Sequence, residues 1–457
     1  DARTVAWEVL QAVQREDAYA NLLLPKRIER AGLRGPDAGL ATELCYGTLR
    51  ARERYDAILA IAAARPVGRI DGRAIDVLRL GCHQLLGMGL APHAAVHETV
   101  GLARRVSPRA AGFVNAVLRR LAAEPAEQWN RRAEEGLAGQ ELLAVRHAHP
   151  AWIVQALGRA LAAEGRGGQE ELARLLTADN EPPRVALAAM PGLADREALL
   201  ERHSELLEPG ALSPIGLRLR GGDPARVPEV AAGLLRVQDE GSQLVALALS
   251  EAEPVRPGER WLDMCAGPGG KAALLAAVAR RSGARLLANE AVPARAGLVR
   301  SALAPIDPEV RVRTGDGRSI QPPPGGFHRI LLDAPCTGLG ALRRRPEARW
   351  RKRPQDLPAL TALQGELLEA ALAALAPGGL LAYVTCSPHP AETTEVVERA
   401  VRAGAVPLDT AGILRRIAPA AEAPGLRPLG TGSAAQLWPH RHGCDAMFLA
   451  LLRRPAG

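Results

Sequence analysis

Trp261-Leu262-Asp263-Met264-Cys265-Ala266-Gly267-Pro268-Gly269-Gly270-Lys271 begins as a short apolar strand, breaks into a turn of small residues and opens a helix that continues to Arg280. The same change of period recurs down the chain. Further strands are expected at 285–289, 310–312, 329–333 and 380–384, with helices at 294–302 and 360–375. Strands alternating with helices imply a parallel sheet covered on both faces, an α/β Rossmann-like fold. Ligands of such sheets lie outside the carboxyl ends of the strands. This sequence places its chemically useful residues there.

In the first turn, Cys265, Ala266, Gly267, Pro268, Gly269 and Gly270 let a ligand approach the backbone closely, and the helix beginning at Lys271 offers unpaired N–H groups. Glycine turns also serve as plain connectors, so the turn gains weight only from acidic residues at the ends of the next two strands. Glu290 closes the first of these, 20 residues beyond Gly270, where a carboxylate can accept both ribose hydroxyls of a nucleotide-like ligand. Asp316, after the second, can meet an adenine amino group. This spacing suits either a dinucleotide or S-adenosylmethionine. The turn lacks G-x-G-x-x-G, and Pro268 removes an N–H donor, which makes a poor pyrophosphate cradle and weighs against hydride transfer.

Two cysteines follow two further strands: Asp333-Ala334-Pro335-Cys336-Thr337-Gly338 and, 50 residues on, Thr385-Cys386-Ser387-Pro388. A single buried thiol is ordinarily inert packing. Two at neighbouring strand ends, beside an aspartate, can converge on one crevice. Thiols suit one methyl-transfer problem in particular. Carbon 5 of cytosine is too weak a nucleophile to attack a methyl sulfonium unaided, and addition of a thiolate at carbon 6 gives an enamine-like ring that can. A carboxyl near ring nitrogen 3 assists by donating a proton; Asp333 is the candidate, provided its surroundings raise its pKa. A base must then remove the carbon-5 proton, a step the second cysteine can assist.

Away from this core, residues 1–125 read as helical, with Leu and Ala at helical spacing in 4–13, 38–60, 74–86, 93–106 and 110–122. A connector and small mixed domain occupy 126–236, and the Rossmann-like domain 237–457. The chain has 457 residues, a formal charge of +8 and 3% aromatics, so its cores must be built from Leu, Ala and Val. Six cysteines without a C-x-x-C pair support neither a zinc ribbon nor a disulfide scaffold; the expectation is a reduced cytoplasmic protein with no metal. Asp1–Leu10 is amphipathic and does not resemble a signal peptide. The uncharged run 370–391 is long enough to span a membrane, but Pro377-Gly378-Gly379 divides it into helix, turn and strand, so no membrane is expected. Between the two cysteines, 342–353 carries seven basic residues in twelve; Arg343, Arg344, Arg345 and Arg349 beside Trp350 form an expected RNA surface. Arg104, Arg105, Arg119 and Arg120 serve RNA docking or helix solubility equally well.

The set Cys-Ala-Gly-Pro-Gly-Gly-Lys, Asp-Ala-Pro-Cys-Thr-Gly and Thr-Cys-Ser resembles the NOL/NOP/Sun family of RNA 5-methylcytosine methyltransferases. The resemblance implies S-adenosylmethionine as cofactor, Cys386 as nucleophile and Cys336 as the releasing cysteine. It also implies cofactor contacts from Lys271, Glu290, Asp316 and Asp333, with Arg295 near the nucleotide. Residues 237–243 and 445–450 resemble segments of its bacterial Sun branch. Residues 43–50 and 113–120 resemble the NusB-like RNA-binding domain fused to that branch. Together these imply a monomer acting on small-subunit ribosomal RNA, with no DNA partner. The alternatives are transfer RNA as substrate, or a decayed assembly factor that only binds RNA. Two departures stand out: Gly267 where many members have Ala, expected to be harmless, and Thr393 where the family often has Asn, which leaves support of the catalytic loop open.

Overall fold

The computed structural model describes residues 1–16, 18–419 and 425–456. Its chain forms two compact units: Asp1–Gly158, Gln169–Pro182 and Leu342–Lys352 make one, and Arg159–Gly168, Pro183–Ala341 and Arg353–Gly457 the other. Neither is continuous in sequence. The consecutive division at 125 and 236 therefore does not describe how the chain packs, because tertiary contacts return 342–352 to the helical unit.

The helical unit contains α1 (Ala2–Arg15), α2 (Ala20–Arg30), α3 (Gly35–Arg50), α4 (Arg52–Ala62), α5 (Gly72–Cys82), α6 (Pro92–Val106) and α7 (Ala111–Ala122). On α1, Val5, Ala6, Val9, Leu10 and Val13 form one buried stripe, while Asp1 caps its start by accepting the Arg3 N–H. Helix α2 was not expected, and it carries Pro25 inside. The run 38–60 was expected to be one helix but is divided at Ala51. The last-turn carbonyls of α3 have no partners within the helix. Leu49 O instead accepts the Trp350 indole N–H (3.1 Å) and Arg50 O accepts Arg349 Nη1 (2.8 Å).

The second unit holds two sheets. A four-stranded antiparallel one runs β2-β3-β1-β4, from β1 (Ala186–Ala189), β2 (Leu207–Pro209), β3 (Gly216–Leu219) and β4 (Leu235–Val237). The larger comprises β5 (Arg260–Asp263), β6 (Arg285–Glu290), β7 (Arg311–Thr314), β8 (Phe327–Asp333), β9 (Leu375–Thr385), β10 (Val406–Pro407), β11 (Gly425–Leu429), β12 (Gly432–Gln436) and β13 (Phe448–Arg453). Its order is β11-β12-β13-β9-β8-β5-β6-β7, with β10 on β13.

From β9 to β7 neighbours are parallel, as the alternating pattern predicts; β13 joins β9 antiparallel and carries the hairpin β11–β12, so the whole sheet is mixed. Strand order reverses between β5 and β8, and a crevice opens beyond the carboxyl ends there. The turn expected at Pro377–Gly379 appears as a register shift. Leu375 pairs with Phe327 and Leu380 with Arg329, leaving the Pro-Gly-Gly residues to bulge out of the ladder. The core is Leu, Ala and Val, including the continuous buried run 272–279 of the helix Gly270–Arg281. Among the described residues, no helix is long and apolar enough to cross a membrane.

Candidate active site

The ends of β5, β6 and β7 are fastened together by Asn289, whose Nδ2 donates to Met264 O (2.9 Å) and Gly315 O (3.0 Å). Sequence reading placed Asn289 in a strand and missed this role. The neighbouring Glu290 is buried; its carboxylate accepts Gly267 N–H (2.9 Å) and Val292 N–H (3.0 Å). Arg295 donates to Gly267 O (2.5 Å) and stands 3.7 Å from Glu290. A Cβ at position 267 would fall 2.3 Å from Glu290 Oε2 and 2.9 Å from Arg295 Nε, so an added methyl group would press on the ends of these two side chains. The expected residues 265–271, Glu290 and Arg295 thus share one cradle. A narrow small-residue turn facing a buried carboxylate fits the ribose of a nucleoside-bearing cofactor. Asp316 lies beyond β7, half-exposed and ion-paired with Arg318, whose backbone N–H it also accepts.

Beyond β8 and β9 the two expected cysteines meet. Cys336 Sγ and Cys386 Sγ are 3.4 Å apart, both half-buried. A hydrogen bond to Cys386, then burial, then the negative charge of Cys386 hold the Cys336 thiol well above the ordinary cysteine range. Lys271 Nζ lies 2.8 Å from Asp333 Oδ2. Burial opposes the lysine charge, but Asp333 and Cys386 outweigh it and carry Lys271 above its usual pKa. The nearest partner of Asp333 is thus an ammonium group.

Glu392 holds the two cysteine loops against each other. Fully buried, it accepts Thr337 N–H (2.7 Å), the Thr337 hydroxyl and Gln364 Nε2 (3.1 Å), and Gln364 also donates to Pro335 O (2.8 Å). Thr337 Oγ1 reaches Ser387 Oγ at 3.0 Å, and the Tyr383 hydroxyl donates to Glu392 O (2.8 Å). Gly340 completes the joint by donating to Cys386 O (2.8 Å); a Cβ there would lie 2.0 Å from Ala446 O. The Thr393 hydroxyl donates to His389 O (3.0 Å) and Pro390 O, and accepts Arg427 Nη1 at 3.4 Å. Support of the catalytic loop thus comes from Glu392, not from position 393. The sequence carried a faint signal for it, an acid six residues after Cys386.

Two further groups are quiet. Burial, reinforced by nearby carboxylates, pushes the Cys265 thiol far up, marking it as an inert thiol whose backbone forms the turn. Asp263, fully buried at the end of β5, is pushed up to about 8 by burial and by Asp333.

The basic run is not the open surface the sequence suggests. Arg349 is 1% exposed and donates to Arg50 O, Ala148 O, Asn180 Oδ1 and Asp179 O, all at 2.8–3.2 Å. Trp350 is half-buried, its N–H engaged by Leu49 O and its ring covered by Arg52. Both serve the helical unit. Arg343 is 9% exposed; Arg344 and Arg345 are exposed, the latter over the Tyr19 ring.

Comparison with known proteins points to a family of RNA methyltransferases. The family model for the 16S rRNA methyltransferase RsmB/F matches residues 251–453, and the NusB family model matches residues 1–123. A Mycobacterium tuberculosis protein named as a methyltransferase is 47% identical over 458 residues, 99% of this chain and 96% of its own. Ribosomal RNA small subunit methyltransferase B of Pseudomonas putida is 35% identical over 407 residues, covering 87% of this chain and 88% of that protein. A solved methyltransferase homolog protein from Pyrococcus horikoshii is 25% identical with a TM-score of 0.56, covering 70% of this chain and all of that one.

Proposed function

Because the chain belongs to the 16S rRNA methyltransferase RsmB/F family, we propose that it methylates carbon 5 of an unpaired cytosine in small-subunit ribosomal RNA through a covalent cysteine adduct. Members of this family are S-adenosylmethionine-dependent, and that cofactor supplies an electrophilic methyl group when bound. The residues fitted to hold it are Glu290 at the ribose, the turn 265–270 and Arg295 beside it. Lys271 is expected to touch it as well, along the crevice.

The contact between Cys336 and Cys386 carries the reading. The pair is 3.4 Å apart and presents Cys386 as the thiolate nucleophile, the role that the family resemblance implies for it, with Cys336 as the thiol beside it. Cys386 Sγ bonds to ring carbon 6, and the electron pair displaced from the 5,6 double bond flows toward nitrogen 3. The Lys271–Asp333 pair places a proton there as that charge develops. Carbon 5 then takes the methyl group. Once Cys386 is bonded to carbon, the anion that held the Cys336 thiol up no longer exists. Cys336 can then give its proton to solvent and, as the thiolate, take the one on carbon 5, while the carbon–sulfur bond to Cys386 breaks, the 5,6 double bond is restored and nitrogen 3 returns its proton to the Lys271–Asp333 pair. A cytosine stacked in a duplex could not reach these sulfurs, so the target base is unpaired or flipped out. The site of action is the cytoplasm, where thiols stay reduced.

The test is methyl transfer from labelled S-adenosylmethionine to small-subunit ribosomal RNA, with denaturing gels to detect protein–RNA adducts. Cys336→Ala is expected to accumulate an adduct, and Cys386→Ala to give neither adduct nor product. Methylation by both variants overturns the thiol mechanism.

A further inference from the structure

We infer that the cleft between α6 and α7 of the helical unit is a binding slot for a single unpaired nucleotide of the RNA substrate. This rests on the reading of the chain as an RNA methyltransferase and adds a docking site to it. The cleft has a volume of about 510 Å³, room for one base with its phosphate. Its floor is apolar, formed by Val96, Val100 and Ala111. His93 and His97, both exposed, stand along one side with rings 3° from parallel and centroids 6.4 Å apart. Flat π faces over an apolar floor suit base stacking of the kind that binds single strands.

The rim supplies the charge. Arg104 and Arg119 line the cleft with Asn115, and among the described residues no carboxylate lines it. Both arginines are exposed, and among the described residues neither makes an ion pair. Their sequence neighbours behave differently: Arg105 pairs with Asp1 at 2.7 Å, and Arg120 donates to Ala62 O at 3.2 Å. Simple helix-end capping would engage all four alike. Of the four arginines the sequence left undecided, Arg104 and Arg119 are thus assigned to phosphate and Arg105 and Arg120 to structure. Gly112 also lines the cleft, and a Cβ there would enter open space, meeting nothing within 4 Å.

Binding of a labelled single-stranded oligonucleotide from small-subunit ribosomal RNA, measured by anisotropy across a salt series with the full chain, tests this. Arg104→Ala/Arg119→Ala is expected to weaken binding about tenfold or more and to flatten the log–log salt slope by about 1.4, near 0.7 per lost single-strand phosphate contact. Gly112→Leu, which fills the slot without altering charge, should weaken binding and leave the slope unchanged. Circular dichroism melts matching the parent exclude misfolding, and Arg109→Ala, outside the cleft, is the control. Wild-type affinity and slope in both cleft variants overturn the slot. So does protection of the cleft by a polyglutamate peptide but not by RNA, which makes the occupant an acidic protein segment. Cys386→Ala is expected to bind RNA normally while losing methylation; retained methylation with intact binding counts against the active-site reading and not against the slot.

Discussion

Replacing Glu392 by Gln removes no volume yet breaks the joint between the two cysteine loops. The carboxylate receives three donors and gives none. An amide has one acceptor oxygen, so at least one donor on Thr337 or Gln364 must face an N–H₂ group inside the protein. A hydrogen bond to a charged group contributes about 1.5–3 kcal/mol, and a buried donor left unpaired costs about 1–3 kcal/mol. If about 1.5–3 kcal/mol of that falls on keeping the Cys336 loop against Cys386, the fraction of molecules with both sulfurs in register falls roughly 10- to 100-fold. Cys336 is proposed to act at release, so the defect should be specific. Glu392→Gln should form the covalent adduct near the parent rate and release it roughly 10- to 100-fold more slowly, a partial copy of Cys336→Ala. Rapid-quench single-turnover kinetics with denaturing gels separate the two steps. An unchanged release rate in a folded Glu392→Gln protein would refute the idea that this carboxylate positions Cys336.

The same geometry sets three further expectations. Gly267→Ala should weaken S-adenosylmethionine binding about tenfold by forcing the Glu290 carboxylate off Gly267 N–H, at about 1–1.5 kcal/mol, with little change in melting temperature; calorimetric titration yielding the parent Kd would count against it. Asp263 has a native pKa raised to about 8, so the folded state retains a proton that the unfolded chain releases near pH 4. Stability from this group is full below about pH 4 and falls by up to about 1.4 kcal/mol per pH unit up to about pH 8. Asp263→Asn should flatten that slope in denaturant titrations at pH 5 to 8, and an identical slope would exclude the assignment. Arg349→Ala should destabilise the helical unit by about 3–5 kcal/mol because four acceptors lose a buried cation, whereas Arg344→Ala should be nearly neutral. Matching melts for the two variants would show that the guanidinium is not a structural strut.

The parts of the site that were legible are those written within one strand-to-turn segment. Gly267, Glu290, Cys336 and Cys386 each follow an apolar run, and a parallel sheet delivers such positions to one crevice whatever the loop lengths. Glu392 was not legible because its partner Thr337 is 55 residues away, and nothing local marks a buried acid as a hydrogen-bond hub. Arg349 and Trp350 were misread for a physical reason. A basic run with an aromatic is ordinarily solvated, and only three-dimensional structure shows a guanidinium filling the carbonyl-lined end of a helix pair. The hairpin β11–β12 escaped notice because Gly432-Ser433-Ala434-Ala435-Gln436 has small residues where a buried strand usually shows branched ones. Helix α2 was obscured by Pro25, which normally signals an interruption.

Leu342–Lys352 has a consequence for synthesis. The helical unit receives Asp1–Gly158 and Gln169–Pro182 early, but the donors that close the end of α3 emerge about 170 residues later. At roughly 5–20 residues per second, the nascent chain waits on the order of ten to thirty seconds before Arg349 and Trp350 can reach those carbonyls. A fragment ending at residue 182 is permanently in that state. The helical unit therefore matures only after most of the β-sheet strands have left the ribosome, so vectorial synthesis does not complete this protein from its N-terminus onward.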